Sequence, residues 1–493
     1  MRSIHSIQRL HRQPQGRAGL VKWGVLACLP LLASCTLGPA GTPPVLPADA
    51  GYTQMPIALP AHAGMVIAPQ TAENPTLCTN WWQALGSDKL NKLIAQAQAR
   101  NPNLASQQAA LNAAQALAAA GQSALFPSVQ AGFFPSRQSQ AKGISPTLNS
   151  GQSLFNLHTA QVQVSYALDV FGGNQRQAQI GQALADQQAA LLAAARISLI
   201  NNVILAAVNY AAGQDSLKLT REVVALNQTA LNRTQQQFAQ GQVPQLNVML
   251  AQTALLQAQS TEAALEKQAA LQRDQLAALV GQYPNEPLEL PTSLAQFHLP
   301  TALPLSLPSA LVQNRPDIVA AGASVHAAAA AVGVAMAARL PQITLTADGG
   351  YTGSALAGLL SSPNQFWSLI GGITQPLFDA GGLANRQKAA EGFYTQALET
   401  YRATVLNAFV NVADSLHALK ADTEGVRTAV AAEQLAHQTW QAAMKQIDLG
   451  DISPLTGLAA EQNDRQAALA RVQAEALVYQ DVAALYQSLG GAW

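Results

Sequence analysis

The body of the chain contains a domain-sized sequence pattern that occurs twice. The dipeptide Asn101-Pro102 is matched by Arg315-Pro316, and Phe126-Pro127 is matched by Leu340-Pro341, in both cases 214 residues later. Solenoid repeats have periods of about 20–50 residues. A period several times longer indicates duplication of a whole folding unit, which restricts the chain to folds made of two similar halves.

A glycine motif supports the same division. The sequence GQVPQL at 241–246 is matched by GDISPL at 450–455, 209 residues later. We therefore predict a first unit at 81–281 and a second at 308–493. The proline-rich residues 282–307 between them are predicted to be a linker.

Within each unit the apolar pattern changes from helix to strand and back. In residues 157–170 apolar and polar side chains alternate, which predicts a strand with one apolar and one polar face. Residues 342–351 alternate in the same way, and 366–374 do so less regularly. We predict two hairpins, within about 128–170 and 342–378. Their four strands of about ten residues have the length that a tilted strand needs to cross a bilayer.

Long helices are predicted after each hairpin, at about 174–281 and 383–490. Both regions begin with a proline-free stretch of about 70 residues rich in Ala, Leu and Gln, with apolar positions at steps of three, four and seven. Each stretch is long enough for an antiparallel pair of helices of about 35–40 residues, or about 50–60 Å. We place the turn of the first pair at 213–215 and that of the second at 422–424.

The amino terminus has the features of an export signal. The first 34 residues contain five basic side chains and no acidic one, and 23–32 form an apolar run that is too short for a spanning helix. The following residues, 32–35, resemble a bacterial lipobox, in which Cys35 becomes the lipidated first residue. We predict a signal peptide at 1–34 and an extended lipidated segment at 35–80; a plain signal with a chance cysteine is the alternative.

The charge of the chain argues against nucleic acid as a partner. The full sequence has 27 basic and 27 acidic residues, and removal of the signal leaves 22 basic and 27 acidic ones, a net charge of −5. The three cysteines and eight histidines show no metal-ligand spacing. No nucleophile, zinc-protease or phosphate-loop motif occurs, so we expect neither a cofactor nor an enzyme.

Four two-faced strands cannot close a barrel, because about eight strands form the smallest barrel that side chains can fill. Open sheet edges in lipid would leave backbone groups unpaired at several kcal/mol each. Either the strands pack on the helices of a soluble protein, or several copies combine their strands. Three copies would give twelve.

Several short motifs together resemble the TolC-like outer membrane factors, most closely the NodT-type lipoproteins that work with RND pumps. The resemblance covers nearly all of residues 35–493. The motifs are Thr36-Leu37-Gly38-Pro39, Trp81-Trp82, Leu168-Asp169-Val170-Phe171-Gly172, Gly241-Gln242-Val243, Arg315-Pro316-Asp317 and Gln375-Pro376-Leu377-Phe378-Asp379-Ala380-Gly381-Gly382.

The resemblance implies a mainly α-helical fold with a β-barrel contribution. A homotrimer would form a twelve-stranded outer-membrane barrel joined to an α-helical barrel in the periplasm. Such a duct docks on a periplasmic adaptor and an inner-membrane RND pump, and passively conducts drugs or other small molecules without a cofactor. Service to a type I polypeptide secretion system, or a structural coiled-coil lipoprotein, are the alternatives.

Two sets of residues are candidates for specific roles. Gly172, Gly173, Gly381 and Gly382 lie between a strand and a helix, where glycine permits a sharp turn. At the helix tips, where the family has a constriction, Asp215, Asp422 and Glu424 are candidate acidic gate residues; solvated charges on a helix turn are the alternative. Gly241 and Gly450 break the helix pairs, where the family has its equatorial region.

Overall fold

The structure, a computed structural model, describes residues 37–44, 51–53, 66–69, 80–139, 153–305 and 314–491. These residues belong to two compact units. The first comprises the residues up to Pro39, Gln122–Gln177 and Val332–Gln387, and contains a four-stranded sheet. The second comprises Ala40–Gly121, Ala178–Ala331 and Lys388–Trp493, and is mainly helical.

The described residues form seven α-helices and six strands. The helices are α1 Asp88–Arg100, α2 Pro102–Gln122, α3 Gly173–Ala239, α4 Gln245–Leu279, α5 Pro316–Ala337, α6 Gly382–Asp448 and α7 Pro454–Ser488. The strands are β1 Val66–Pro69, β2 Ser128–Ser139, β3 Leu154–Leu168, β4 Ala302–Leu305, β5 Gln342–Gly353 and β6 Gln365–Thr374. The four strands expected in the two hairpins are therefore present as β2, β3, β5 and β6.

The helices that follow the two hairpins match in length. Helices α3 and α6 each have 67 residues, and α4 and α7 each have 35. The second member of each pair begins 209 residues after the first. At about 1.5 Å per residue, α3 and α6 are each about 100 Å long.

The predicted turns at 213–215 and 422–424 are wrong, because α3 and α6 run through these residues without a break. The chain reverses later, around Gly241 (φ 73°) and Gly450 (φ 82°), each followed within four residues by a proline. A single helical glycine such as Gly213 costs only about 1 kcal/mol relative to alanine, which the rest of a long helix offsets. A left-handed glycine followed by proline ends a helix outright.

Prolines also set the other helix starts. The break predicted at Asn101-Pro102 lies between α1 and α2, where the Asn101 side chain accepts hydrogen bonds from the backbone N–H groups of Asn103 (2.9 Å) and Leu104 (3.1 Å). The corresponding Arg315 precedes α5 and is buried. Its guanidinium donates to the carbonyl oxygens of Ser488 (2.8 Å) and Ala408 (3.3 Å), and so satisfies the carboxyl end of α7.

The core of the second unit combines apolar packing with amide pairs between α3 and α7. Trp81 stacks on Tyr486, with ring centroids 4.3 Å apart. Gln480 donates to Asn209 (3.0 Å), and Gln462 donates to Asn227, which is 18 residues further along α3. Eighteen residues are five helical turns, so the two amide pairs lie on the same face and fix the antiparallel register.

Two helices, α3 and α5, each contain an apolar stretch of membrane-spanning length. Just over half of each stretch (56%) is buried inside the protein. Buried helices in the core of a soluble domain have the same composition, so the helices alone do not indicate a membrane protein.

Candidate functional site

The sheet of the first unit is antiparallel throughout, in the order β2-β3-β5-β6. One face is polar. Gln130, Gln163, Asp348 and Ser368 lie side by side in register across the four strands. Further along, the hydroxyl groups of Thr159 and Thr352 are 3.1 Å apart.

The opposite face is apolar and exposed in the single chain. Trp367 and Ile373 on β6 are 80% and 73% exposed, and Val129, Phe133 and Leu369 are also exposed. An exposed apolar surface of this kind marks contact with lipid or with another protein. The sheet therefore separates an apolar surface from a polar one, as the sequence alternation predicts.

Both outer strands of this sheet have a free edge. Within the described residues, β2 pairs only with β3, and β6 pairs only with β5. Each edge presents a row of backbone N–H and C=O groups along ten or more residues. Because the four strands alternate in direction, the β6 edge of one copy would meet the β2 edge of another copy in antiparallel orientation.

The strand-to-helix junctions use glycine and aspartate together. Gly172 (φ 73°) and Gly381 (φ 84°) have left-handed backbones, and Gly173 and Gly382 are the first residues of α3 and α6. These turns reverse the chain in a conformation that a side chain would strain.

Two aspartates complete these junctions, and sequence reasoning missed their role. Asp169 accepts from the backbone N–H groups of Asn174 (3.0 Å) and Gln175 (2.7 Å). Asp379 accepts from those of Gly381 (3.0 Å) and Leu383 (2.6 Å), and these hydrogen bonds lower the pKa of Asp379. An aspartate just before a long apolar-periodic stretch is the signal that could have identified them as helix caps.

The three candidate gate residues do not lie at a helix tip and have separate partners. Asp215 accepts from the Ser293 hydroxyl (3.0 Å) and from the backbone N–H of Leu294 (2.9 Å), and so holds the linker on α3. Glu424 pairs with Arg427, one turn away on α6. The prediction that they converge at the turns of the helix pairs is wrong, because the turns lie elsewhere.

The third candidate, Asp422, forms a hydrogen bond with the carboxyl group of Asp481 on α7. Burial, followed by this hydrogen bond and the charge of Asp422, raises the pKa of Asp481 to about 7. Sequence reasoning did not find Asp481, because nothing in the local pattern reveals that the two carboxyl groups meet.

Cys35 lies outside the described residues, but the segment that begins two residues later packs on the protein. The Leu37 carbonyl oxygen accepts from Arg176 Nε (2.9 Å). A Cβ atom added to Gly333 would lie 2.5 Å from that same oxygen. Glycine at 333 therefore permits the close approach of the amino-terminal segment to α5.

Comparison with known proteins identifies similar chains of full length. A family model described as outer membrane efflux protein matches residues 93–282 and 307–491. The pyoverdine export outer membrane protein OpmQ of Pseudomonas putida is 30% identical over 483 residues, which cover 95% of this chain and 97% of OpmQ. The toluene efflux pump outer membrane protein TtgF of Pseudomonas putida is 30% identical over 392 residues, covering 78% of this chain and 79% of TtgF.

Solved structures show the same fold. The outer-membrane channel OprN matches with a TM-score of 0.80 and 26% identity. The match covers 93% of this chain and all of the OprN chain.

Proposed function

Because the chain belongs to the outer membrane efflux protein family, we propose that it is the outer membrane duct of a tripartite efflux system. It conducts drugs or other small molecules passively from the periplasm to the outside. A periplasmic adaptor and an inner-membrane RND pump deliver the substrate and supply the energy. The printed names of relatives, which include pyoverdine export and toluene efflux proteins, support this role.

The observation that carries the proposal is the two-faced sheet with its free edges. Four strands cannot close, but three copies supply twelve, and an even number of strands in each copy keeps every contact antiparallel. The exposed apolar face then contacts lipid, and the row containing Gln163 and Asp348 faces a water-filled lumen. We propose a homotrimer for this reason.

The helices form the periplasmic part of the duct in this proposal. Two helices of about 100 Å in each copy, α3 and α6, are long enough to build an extended conduit. Their equal lengths and 209-residue spacing support an origin by duplication. The lipid carried by Cys35 is proposed to anchor each copy in the outer membrane.

The native mass of the protein extracted from outer membrane in mild detergent tests the proposal. We expect three protomers in each particle, and a stable pore conductance when these particles are added to a planar bilayer. A folded monomer without conductance would instead support the structural coiled-coil lipoprotein. Loss of the function on Cys35→Ala with intact trimers would assign the lipid to anchoring rather than to assembly.

A further inference from the structure

Asp348 is the only ionisable side chain on the polar face of the described strands β2, β3, β5 and β6. The register places Asp348 beside Gln163 and Ser368. The other charged or titratable residues of these strands lie an odd number of positions from that row, and therefore on the opposite face. They are Arg137, His158, Tyr166 and Tyr351.

The surroundings of Asp348 hold its carboxylate in place but leave half of it without a partner. Ser368 Oγ donates to Asp348 Oδ2 (3.1 Å). The second oxygen, Oδ1, is buried in the single chain and has no hydrogen-bond partner among the described residues. A buried carboxylate oxygen without a partner is costly, which indicates that a cation or water completes its coordination in the assembled protein.

Nothing on the same face neutralises this charge. The cross-strand neighbours Gln163 and Ser368 are uncharged, and the next residue of β5 on this face, Gly350, has no side chain. On the trimeric barrel of the proposed function, on which this inference rests, symmetry places three Asp348 carboxylates at one depth of the lumen.

We propose that Asp348 determines the charge preference of the barrel lumen, so that cationic solutes pass more readily than anionic ones. A ring of carboxylates raises the local concentration of cations and lowers that of anions. Three charges about 10 Å from the lumen axis, acting through water, enrich a monovalent cation about twofold at 0.1 M salt and about fourfold at 0.01 M.

The experiment is a measurement of reversal potential across a planar bilayer with a KCl gradient, on full-length trimers. Asp348→Asn keeps the shape and the hydrogen bond from Ser368 but removes the charge. Asp348→Glu keeps the charge. Glu289→Gln is the matched control, because it removes one exposed carboxylate per chain from the linker, outside the sheet.

We expect Asp348→Asn to lower the ratio of K⁺ to Cl⁻ permeability about twofold at 0.1 M KCl and more at 0.01 M, while Asp348→Glu and Glu289→Gln keep the wild-type ratio. Gln163→Glu, which adds a carboxylate in the same row, should raise the ratio. An unchanged ratio in both Asp348→Asn and Gln163→Glu would overturn the inference while leaving the duct intact. Absence of any conductance from the wild-type trimer would overturn the proposed function itself.

Discussion

The carboxyl groups of Asp481 and Asp422 share a hydrogen bond that joins α7 to α6. Burial and the neighbouring acid raise the pKa of Asp481 to about 7, whereas an unfolded aspartate titrates near 4. The folded protein therefore holds this proton more tightly than the unfolded chain does. The resulting stabilisation is complete below about pH 4 and is lost as the pH rises through 7.

We predict that Asp481→Asn, which is neutral at every pH, makes the protein more stable than wild type above pH 7. The expected gain in the free energy of unfolding is about 1–2 kcal/mol, because half-exposure of Asp481 screens the repulsion. Thermal unfolding in detergent between pH 4 and 8 measures it. Asp414→Asn, at an exposed position on α6, should keep the wild-type pH dependence. Equal slopes in wild type and Asp481→Asn would contradict the prediction.

The location of the helix turns predicts opposite effects for two glycines. Gly241→Ala forces a side chain into a left-handed backbone and should destabilise the protein by about 1–2 kcal/mol. Gly213→Ala lies within α3 in open space and should stabilise it by about 0.4–1 kcal/mol. Denaturant unfolding of the two variants distinguishes them, and the reverse order would restore the turn at 213–215.

A second pair of glycines tests the packing of the amino-terminal segment. Gly333→Ala places a methyl group 2.5 Å from the Leu37 carbonyl oxygen and should cost about 1–3 kcal/mol or release the segment. Gly392→Ala in α6 meets nothing within 4 Å and should be neutral or slightly stabilising. Hydrogen exchange of residues 37–44 should increase in Gly333→Ala alone. Unchanged exchange and stability would show that the contact does not hold the segment.

Arg315 predicts a larger loss than surface arginines do. Arg315→Met removes the donor to Ser488 and Ala408 and should lower the free energy of unfolding by about 2–3 kcal/mol. Arg402→Met breaks only an exposed pair with Glu399 and should cost less than about 1 kcal/mol. Calorimetry of both variants makes the comparison, and equal losses would argue against a role for Arg315 at the end of α7.

Much of the architecture follows from local sequence signals. The alternation in 157–170 and 342–351 predicts β3 and β5, because a two-faced strand needs one apolar residue in two. Asn101-Pro102 predicts the boundary between α1 and α2, because proline suits the first turn of a helix. These features depend on neighbouring residues and can be read without knowledge of the rest of the fold.

The candidate gate shows where such reading fails. Gly213 resembles a breaker, but in a helix of 67 residues its small cost is offset by the hydrogen bonds on either side. The partners of Asp215 and Asp422 come from residues 78 and 59 positions away, Ser293 and Asp481. Contacts at such separations depend on how helices pack, which no local pattern contains.

The equal lengths of the two helix pairs make the chain its own control. The positions 209 residues before Asp422 and Asp481 are Gly213 and Gln272, which carry no charge. A change of pH therefore acts on one half of each chain and leaves the matching half unaffected. In a ring of three copies, alternate helix pairs would respond while those between them stay as fixed staves, so that any acid-dependent loosening is threefold rather than sixfold.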